Sequence, residues 1–166
     1  NHCKKFDDEI LSNWNVKNED DKNEFDSILK IIKKRGRDKP YDCIIGVSGG
    51  VDSSFLVIKA VEWGLRPLLF HVDGGWNSEL AVSNIEQLCK RLNIDLYTHV
   101  IDWDEMRDLQ LAYLKSNLAN QDVPQDHAFF AGLYHFAFKK GIKTIFTGSN
   151  YATESTLPQA WGYNAM

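Results

Sequence analysis

Cys43-Ile44-Ile45-Gly46-Val47-Ser48-Gly49-Gly50-Val51-Asp52-Ser53-Ser54 joins a short apolar run, a glycine turn and the start of an apolar helix. A continuous apolar run of this length marks a strand covered on both faces. The two glycines let the backbone curl so that successive N–H groups point into one hollow, an anion-binding nest. A helix starting at Ser53 adds its unpaired N–H groups and its positive pole, and Ser48 and Ser53 add hydroxyl donors. The product is a cradle for a phosphate chain. Asp52 sharpens this reading, because a carboxylate inside such a nest repels the ligand unless a cation lies between them. Mg²⁺, held by one or two carboxylates plus phosphate oxygens, is the natural bridge. The G-x-x-x-x-G-K-[ST] spacing is absent and no lysine follows the glycines, so this is a different phosphate loop. A lone Gly-Gly would be only a turn, but five specified positions recur by chance in about one window per million at ordinary residue usage.

Strands and helices alternate outward from this loop. Pro67 to Val72 reads as a second buried strand; Leu96 to Ile101 and Lys143 to Thr147 read as two further strands. Between them lie helices over 53–63, closed by Gly64, and along Ala81, Ile85, Leu88 and Leu92, closed by Asn93. Two more follow, from about Asp104 to Leu118 and along Phe129, Leu133, Phe136 and Lys140, the last closed by Gly141. This alternation predicts an α/β fold, a parallel sheet with helices on both faces. Before the loop, residues 13–24 are polar, and Phe25, Ile28, Leu29 and Ile32 recur at helical spacing. The basic run Lys33 to Lys39 suits the negative pole of that helix's end; without interleaved aromatics it is a poor nucleic-acid signature.

Ligands of open parallel sheets sit beyond the carboxyl ends of the strands. The second strand ends in His71-Val72-Asp73-Gly74-Gly75-Trp76-Asn77, where Asp73-Gly74-Gly75 makes a turn and Asn77 or Ser78 caps the next helix. The last strand ends in Thr147-Gly148-Ser149-Asn150-Tyr151-Ala152-Thr153-Glu154. Asp122, Gln125, Asp126 and His127 follow the third strand's helix on a polar loop that could face substrate; of the other histidines, His71 lies near a strand end, while His99 and His135 read as structural.

The 166 residues fit one domain of ordinary composition, 43% hydrophobic and 25% charged, with a net charge of −4 that gives no general attraction to nucleic acid or anionic membrane. No apolar run approaches the ~20 residues of a membrane span, and no signal peptide is visible. Three dispersed cysteines, Cys3, Cys43 and Cys89, suit a reducing cytoplasm better than a disulfide framework. The chain starts at Asn1 and stops at Met166 without a cap or polar tail, which reads as part of a longer protein, truncated at its C-terminal side.

The hexapeptide Ser48 to Ser53 resembles the PP-loop of the N-type ATP pyrophosphatases, which include NAD synthetase, GMP synthetase, asparagine synthetase and several tRNA-modifying enzymes. The resemblance implies the adenine nucleotide α-hydrolase-like, Rossmann-like variant of the fold. It implies cleavage of ATP between its α and β phosphates, AMP passing to a substrate oxygen and pyrophosphate leaving on Mg²⁺. On that match Ser48, Asp52 and Ser53 are the catalytic candidates. The nucleotide would lie on Ser48, Gly49, Gly50, Val51, Asp52 and Ser53, with Val72 and Asp73 at the adenine and Thr147 and Gly148 nearby. The Gly148…Glu154 spacing resembles a segment of NAD synthetase, which implies Glu154 as the second Mg²⁺ carboxylate opposite Asp52.

Over nearly its whole length the chain is similar to the N-acetyl sugar amidotransferases of bacterial surface-polysaccharide (lipopolysaccharide O-antigen) biosynthesis. Asn1 to Phe6, Tyr41 to Ser54 and Phe146 to Glu154 carry that likeness. It implies that the acetamido group of a nucleotide-linked N-acetyl sugar becomes an acetamidine: ATP adenylylates the amide oxygen and ammonia from a separate glutaminase subunit displaces AMP. It also implies a zinc site from N-terminal cysteine pairs, of which only Cys3 is present here. The chain then divides into an N-terminal segment, 1–38, with one amphipathic helix as the remnant of that zinc region, and a PP-loop ATP pyrophosphatase domain, 39–166. Two other classes share the loop. A tRNA sulfurtransferase or lysidine-type enzyme should bring a basic RNA surface, and a non-catalytic ATP- or AMP-binding module would not need the pair Asp52 and Glu154.

Overall fold

The computed structural model describes residues 19–118 and 120–149, with Lys4, Asp7, Asp8 and Leu11 as isolated positions before them. The order is α1 (Glu19–Gly36), β1 (Cys43–Gly46), α2 (Val51–Glu62), β2 (Pro67–Asp73), α3 (Glu79–Leu92), β3 (Leu96–Val100), α4 (Trp103–Lys115), α5 (Val123–Lys140) and β4 (Ile145–Phe146). The four strands form one parallel sheet in the order β3-β2-β1-β4. β1, whose Cys43, Ile44 and Ile45 are fully buried, therefore lies inside the sheet, as its unbroken apolar run predicts.

Side chains of successive strand residues point to opposite faces, and the core divides accordingly. On one face Cys43, Ile45, Val47 and Leu69 pack with Leu29 and Ile32 of α1, Val57 and Ala60 of α2 and Ile85 of α3. On the other, Ile44, Leu68 and Phe70 pack with Leu133, Phe136 and Ala137 of α5. Helices thus cover both faces, as expected. Asn93 and Gly141 end α3 and α5 in the left-handed conformation, at the stops read from sequence.

Four expectations shift. α1 begins at Glu19, inside the stretch read as polar, and Ile28 is half-exposed; its buried stripe runs through Phe25, Leu29 and Ile32. α2 begins at Val51, two residues early, because Gly50 takes the N-cap position. α5 begins at Val123, where Pro124 fits the first turn of a helix, so Gln125, Asp126 and His127 are helical. β4 is confined to Ile145–Phe146, shorter than the stretch Lys143 to Thr147, while β3 is an edge strand with four of its five residues exposed. Cys43 and Cys89 are free thiols, and burial, with Asp42 adding to it, pushes the Cys43 thiol up to about 12. Among the described residues no helix is long and apolar enough to cross a membrane.

Candidate functional site

The chain runs from β1 to β2 and β3 on one side, then returns to place β4 on the other side of β1. Such a reversal leaves a crevice beyond the carboxyl ends of the strands. Here it holds a cavity of about 490 Å³, whose near wall is Ser48 and the stretch from Gly50 to Ser53. That volume is within the range of small-molecule sites. Leu133, Phe129, Phe130 and Gln125 of α5 form the far wall, His71, Val72, Gly74 and Trp76 one side, and Thr147 to Ser149 the other.

The loop has the geometry that its glycines predict. Gly49 has φ +79°, and a Cβ there would lie 2.3 Å from the Ala81 carbonyl oxygen, so the loop rests on the backbone of α3. Gly50 is extended and, as N-cap of α2, supplies no side-chain cap to the helix; the N–H groups of a first turn have no intrahelical partner. Val51, Asp52 and Ser53 make up that turn. The hydroxyls of Ser48 and Ser53 lie 3.4 Å apart, and the Ser53 hydroxyl also donates to the Gly50 carbonyl at 3.3 Å. Asp52 is exposed on the cavity wall, whereas Ser53 is buried. Gly148 closes against this turn, for a Cβ there would lie 2.9 Å from the nitrogen and Cα of Ser53. Thr147 and Gly148 are thereby brought beside the loop, and Val72 faces the same space.

Asp73 holds the turn: its Oδ1 accepts from the Gly75 N–H and from Asn77 Nδ2, both at 2.9 Å. Ser78, not Asn77, caps α3, its hydroxyl accepting from the Ala81 N–H at 3.1 Å. Gly49 lies behind the loop, away from the cavity wall, in a groove that α3 shares. Of the polar residues around the start of α5, Gln125 lines the cavity; Asp126 sits outside it, its carboxyl pushed up by burial and, secondarily, by Asp122. His99 fills the space beside Gly132 and stacks near Phe70, a structural place, and His135 is exposed on α5. Glu154 and Cys3 lie outside the described residues.

His71 is buried, and its Nδ1 lies 2.9 Å from the carbonyl oxygen of Val47. A carbonyl only accepts, so Nδ1 carries a proton. Nε2 is buried without a partner among the described residues. Trp76, Phe129 and Phe130 are cavity residues that the sequence reading did not assign to the site. Trp76 Nε1 donates to Gln110 Oε1 at 3.2 Å, and Gln110 Nε2 donates to Gln125 Oε1 at 3.0 Å, so α4 ties the rim of β2 to α5.

The residues present fit a magnesium nucleotide. Among the described residues no three His, Cys, Asp or Glu side chains cluster to hold a metal ion by themselves. Magnesium needs no such cage, since one or two carboxylates with phosphate oxygens and water suffice, and Asp52 stands at the loop to supply one.

No family model matches the chain. It is 29% identical over 101 residues to a tRNA(Ile)-lysidine synthase from Chlamydia pneumoniae, a match covering 60% of this chain and 30% of that protein. Among solved structures it is similar to NMN synthetase from Francisella tularensis (TM-score 0.57, 23% identity, 78% of this chain and 55% of that one). It is also similar to the ammonia-dependent NAD synthetase from Campylobacter jejuni (TM-score 0.51, 17% identity, 78% and 57%). A third likeness is to the glutamine-dependent NAD⁺ synthetase from Acinetobacter baumannii with ADP bound (TM-score 0.59, 18% identity, 76% and 24%). The chain thus spans 30% of its curated relative and between 24% and 57% of these synthetases. At such identities the likeness shows the fold, a parallel α/β sheet of the NAD synthetase kind.

Proposed function

We propose that the chain binds ATP with its phosphates on Ser48 to Ser53, opens the α–β phosphoanhydride to activate an amide oxygen, and passes the activated carbon to ammonia. The observation that carries this is the left-handed Gly49, which curls the loop, followed by an uncapped first turn whose Val51, Asp52 and Ser53 line one crevice at the reversal of strand order. Likeness to synthetases whose names state ammonia or glutamine dependence supports the nitrogen donor. The acceptor we infer is a nucleotide-linked N-acetyl sugar, a reading that rests on the sequence resemblance at Tyr41 to Ser54 and Phe146 to Glu154. On that same resemblance a separate glutaminase subunit would supply the ammonia, zinc would belong to the region around Cys3, and the enzyme would work in the cytoplasm.

The amide oxygen attacks the α phosphorus, and the bond from that phosphorus to the bridging oxygen breaks, releasing pyrophosphate. Ammonia then adds to the imidate carbon and loses a proton, and the carbon–oxygen bond breaks with AMP as leaving group. A bound magnesium ion would neutralise charge on the departing phosphates. The chain's own part is to orient: the loop N–H groups and the hydroxyls of Ser48 and Ser53 hold the phosphate oxygens, Asp52 faces the cation, and Val72 borders the base. Phe129 and Phe130 give the adenylate an apolar wall to lie against.

One observation favours a second reading, the 29% identity with a tRNA(Ile)-lysidine synthase. Against it stands the net charge of −4, since an RNA partner calls for a basic surface. Incubation with magnesium ATP, ammonium and a panel of nucleotide-linked N-acetyl sugars, with a parallel tRNA and lysine arm, separates the two. Phosphorus NMR is expected to show AMP and pyrophosphate appearing only with a sugar. Product formation in the tRNA arm alone would replace the sugar reading.

A further inference from the structure

We propose that Asn84, on α3 behind the loop, is a positioning residue that turns the Gly49–Gly50 peptide so that its N–H faces the phosphates. The proposal rests on the ATP reading above. Asn84 Nδ2 donates to the Gly49 carbonyl oxygen at 3.0 Å across 35 residues of sequence. A trans peptide is planar, with its C=O and the following N–H antiparallel. Holding the Gly49 carbonyl against α3 therefore points the Gly50 N–H away from α3, and Gly50 borders the cavity.

That N–H is available to a ligand. Its contact within the protein is the Ser48 hydroxyl at 3.5 Å, the outer limit of a hydrogen bond. A peptide between two glycines is also the one most ready to turn over, since neither flanking residue has a Cβ to resist the change in backbone angles. Gly49 is buried and pressed on the Ala81 carbonyl, so the orientation of its own carbonyl depends on what α3 offers it, and Asn84 offers a donor. The Val47–Ser48 peptide is held in a similar way. His71 Nδ1 holds the Val47 carbonyl at 2.9 Å, and the Ser48 N–H emerges on the opposite side, toward the Ser53 hydroxyl at 3.4 Å. His71 of β2 and Asn84 of α3 thus hold the carbonyls of Val47 and Gly49, and the N–H groups that follow them make only long contacts within the protein, at 3.4 and 3.5 Å.

Asn84 is itself exposed at the rim of a groove, so its substitution does not empty the core. The test compares Asn84→Ala and Asn84→Asp with the unaltered chain by calorimetric titration of magnesium pyrophosphate and, separately, of AMP, with thermal denaturation alongside. Asn84→Asp keeps the shape and loses the donor; Asn84→Gln restores a donor. Pyrophosphate binding is expected to weaken about tenfold in the Ala and Asp variants, the scale of one charge-assisted hydrogen bond. AMP binding should stay within about twofold and Tm within about 1 °C, as for an ordinary surface change. Asn84→Gln should recover part of the loss. Unchanged pyrophosphate affinity in both variants overturns the proposal, as does a parallel fall of pyrophosphate affinity, AMP affinity and Tm, which would mark a merely structural residue. An unaltered chain that binds neither ligand overturns the nucleotide reading itself, and the proposal with it.

Discussion

A carboxylate on the first turn of a helix is ordinarily a favourable cap, because the helix pole attracts it. Asp52 stands there, but exposed and on the wall of a cavity that its own charge would close to phosphates. The proposed function makes it the protein's hold on a magnesium ion. Asp52→Asn keeps size and hydrogen-bonding shape while removing the charge. Turnover is expected to fall on the order of 10²-fold or more, the several kcal/mol a metal contributes to charge stabilisation, with Tm essentially unchanged. Steady-state pyrophosphate release and thermal denaturation check both halves; a variant that retains most of its activity would remove Asp52 from the metal. At this scale the sequence was legible where residue type alone constrains the backbone. Gly49 is one case, since few other residues take φ +79°. Asn84 and His71 were not legible as anchors. A single asparagine on an amphipathic helix carries no local sign of which carbonyl it will meet 35 residues away.

The opposite end of the sheet is fastened by one ionic knot that joins three elements. Arg66, just before β2, donates through its backbone N–H and Nε to Asp42 Oδ2 and through Nη2 to Asp42 Oδ1 at 2.7 Å. Its Nη2 and Nη1 also reach the carbonyls of Gly36 and Lys39, so the end of α1 is tied to the start of β1 and β2. Asp42 is buried in this arrangement, and its backbone N–H donates to the Arg66 carbonyl. Asp42→Ala strips the guanidinium and one backbone N–H of their acceptor, and Tm is expected to drop by about 5–10 °C, while ATP affinity at the far end of the strands holds. An unshifted Tm in thermal denaturation would show the knot to be idle. The elements themselves were legible because continuous apolar runs and left-handed stops leave local marks. Their edges were less so: Gly50 replaces a side-chain cap, Pro124 starts α5 early, and Ile28 fits the helical period without facing the core. That β3 lies at an edge depends on strand order, which no single strand encodes.

Among the described residues, one cavity gathers residues from β1, β2, α2, α5 and the segment after β4, and it lies where the strand order reverses. The location followed from strand–helix alternation, because a parallel sheet of this kind has ligands at its carboxyl ends. The aromatic far wall did not follow: Phe129 and Phe130 share a helix with core residues, and only the packed structure separates those facing the crevice from Phe136 beneath the sheet. On the proposed function, the net charge of −4 would leave the loop as the site's attraction for a triphosphate, through backbone donors and a bridging cation more than through a basic field. Backbone amide NMR of isotope-labelled protein, titrated with magnesium ATP, tests this most directly. The largest shifts are predicted at the amides of Ser48 to Ser53, with Val72 following, and they should be lost when magnesium is chelated. Shifts confined to other surfaces, with the loop amides unmoved at saturating ATP, would contradict a nucleotide site at this loop.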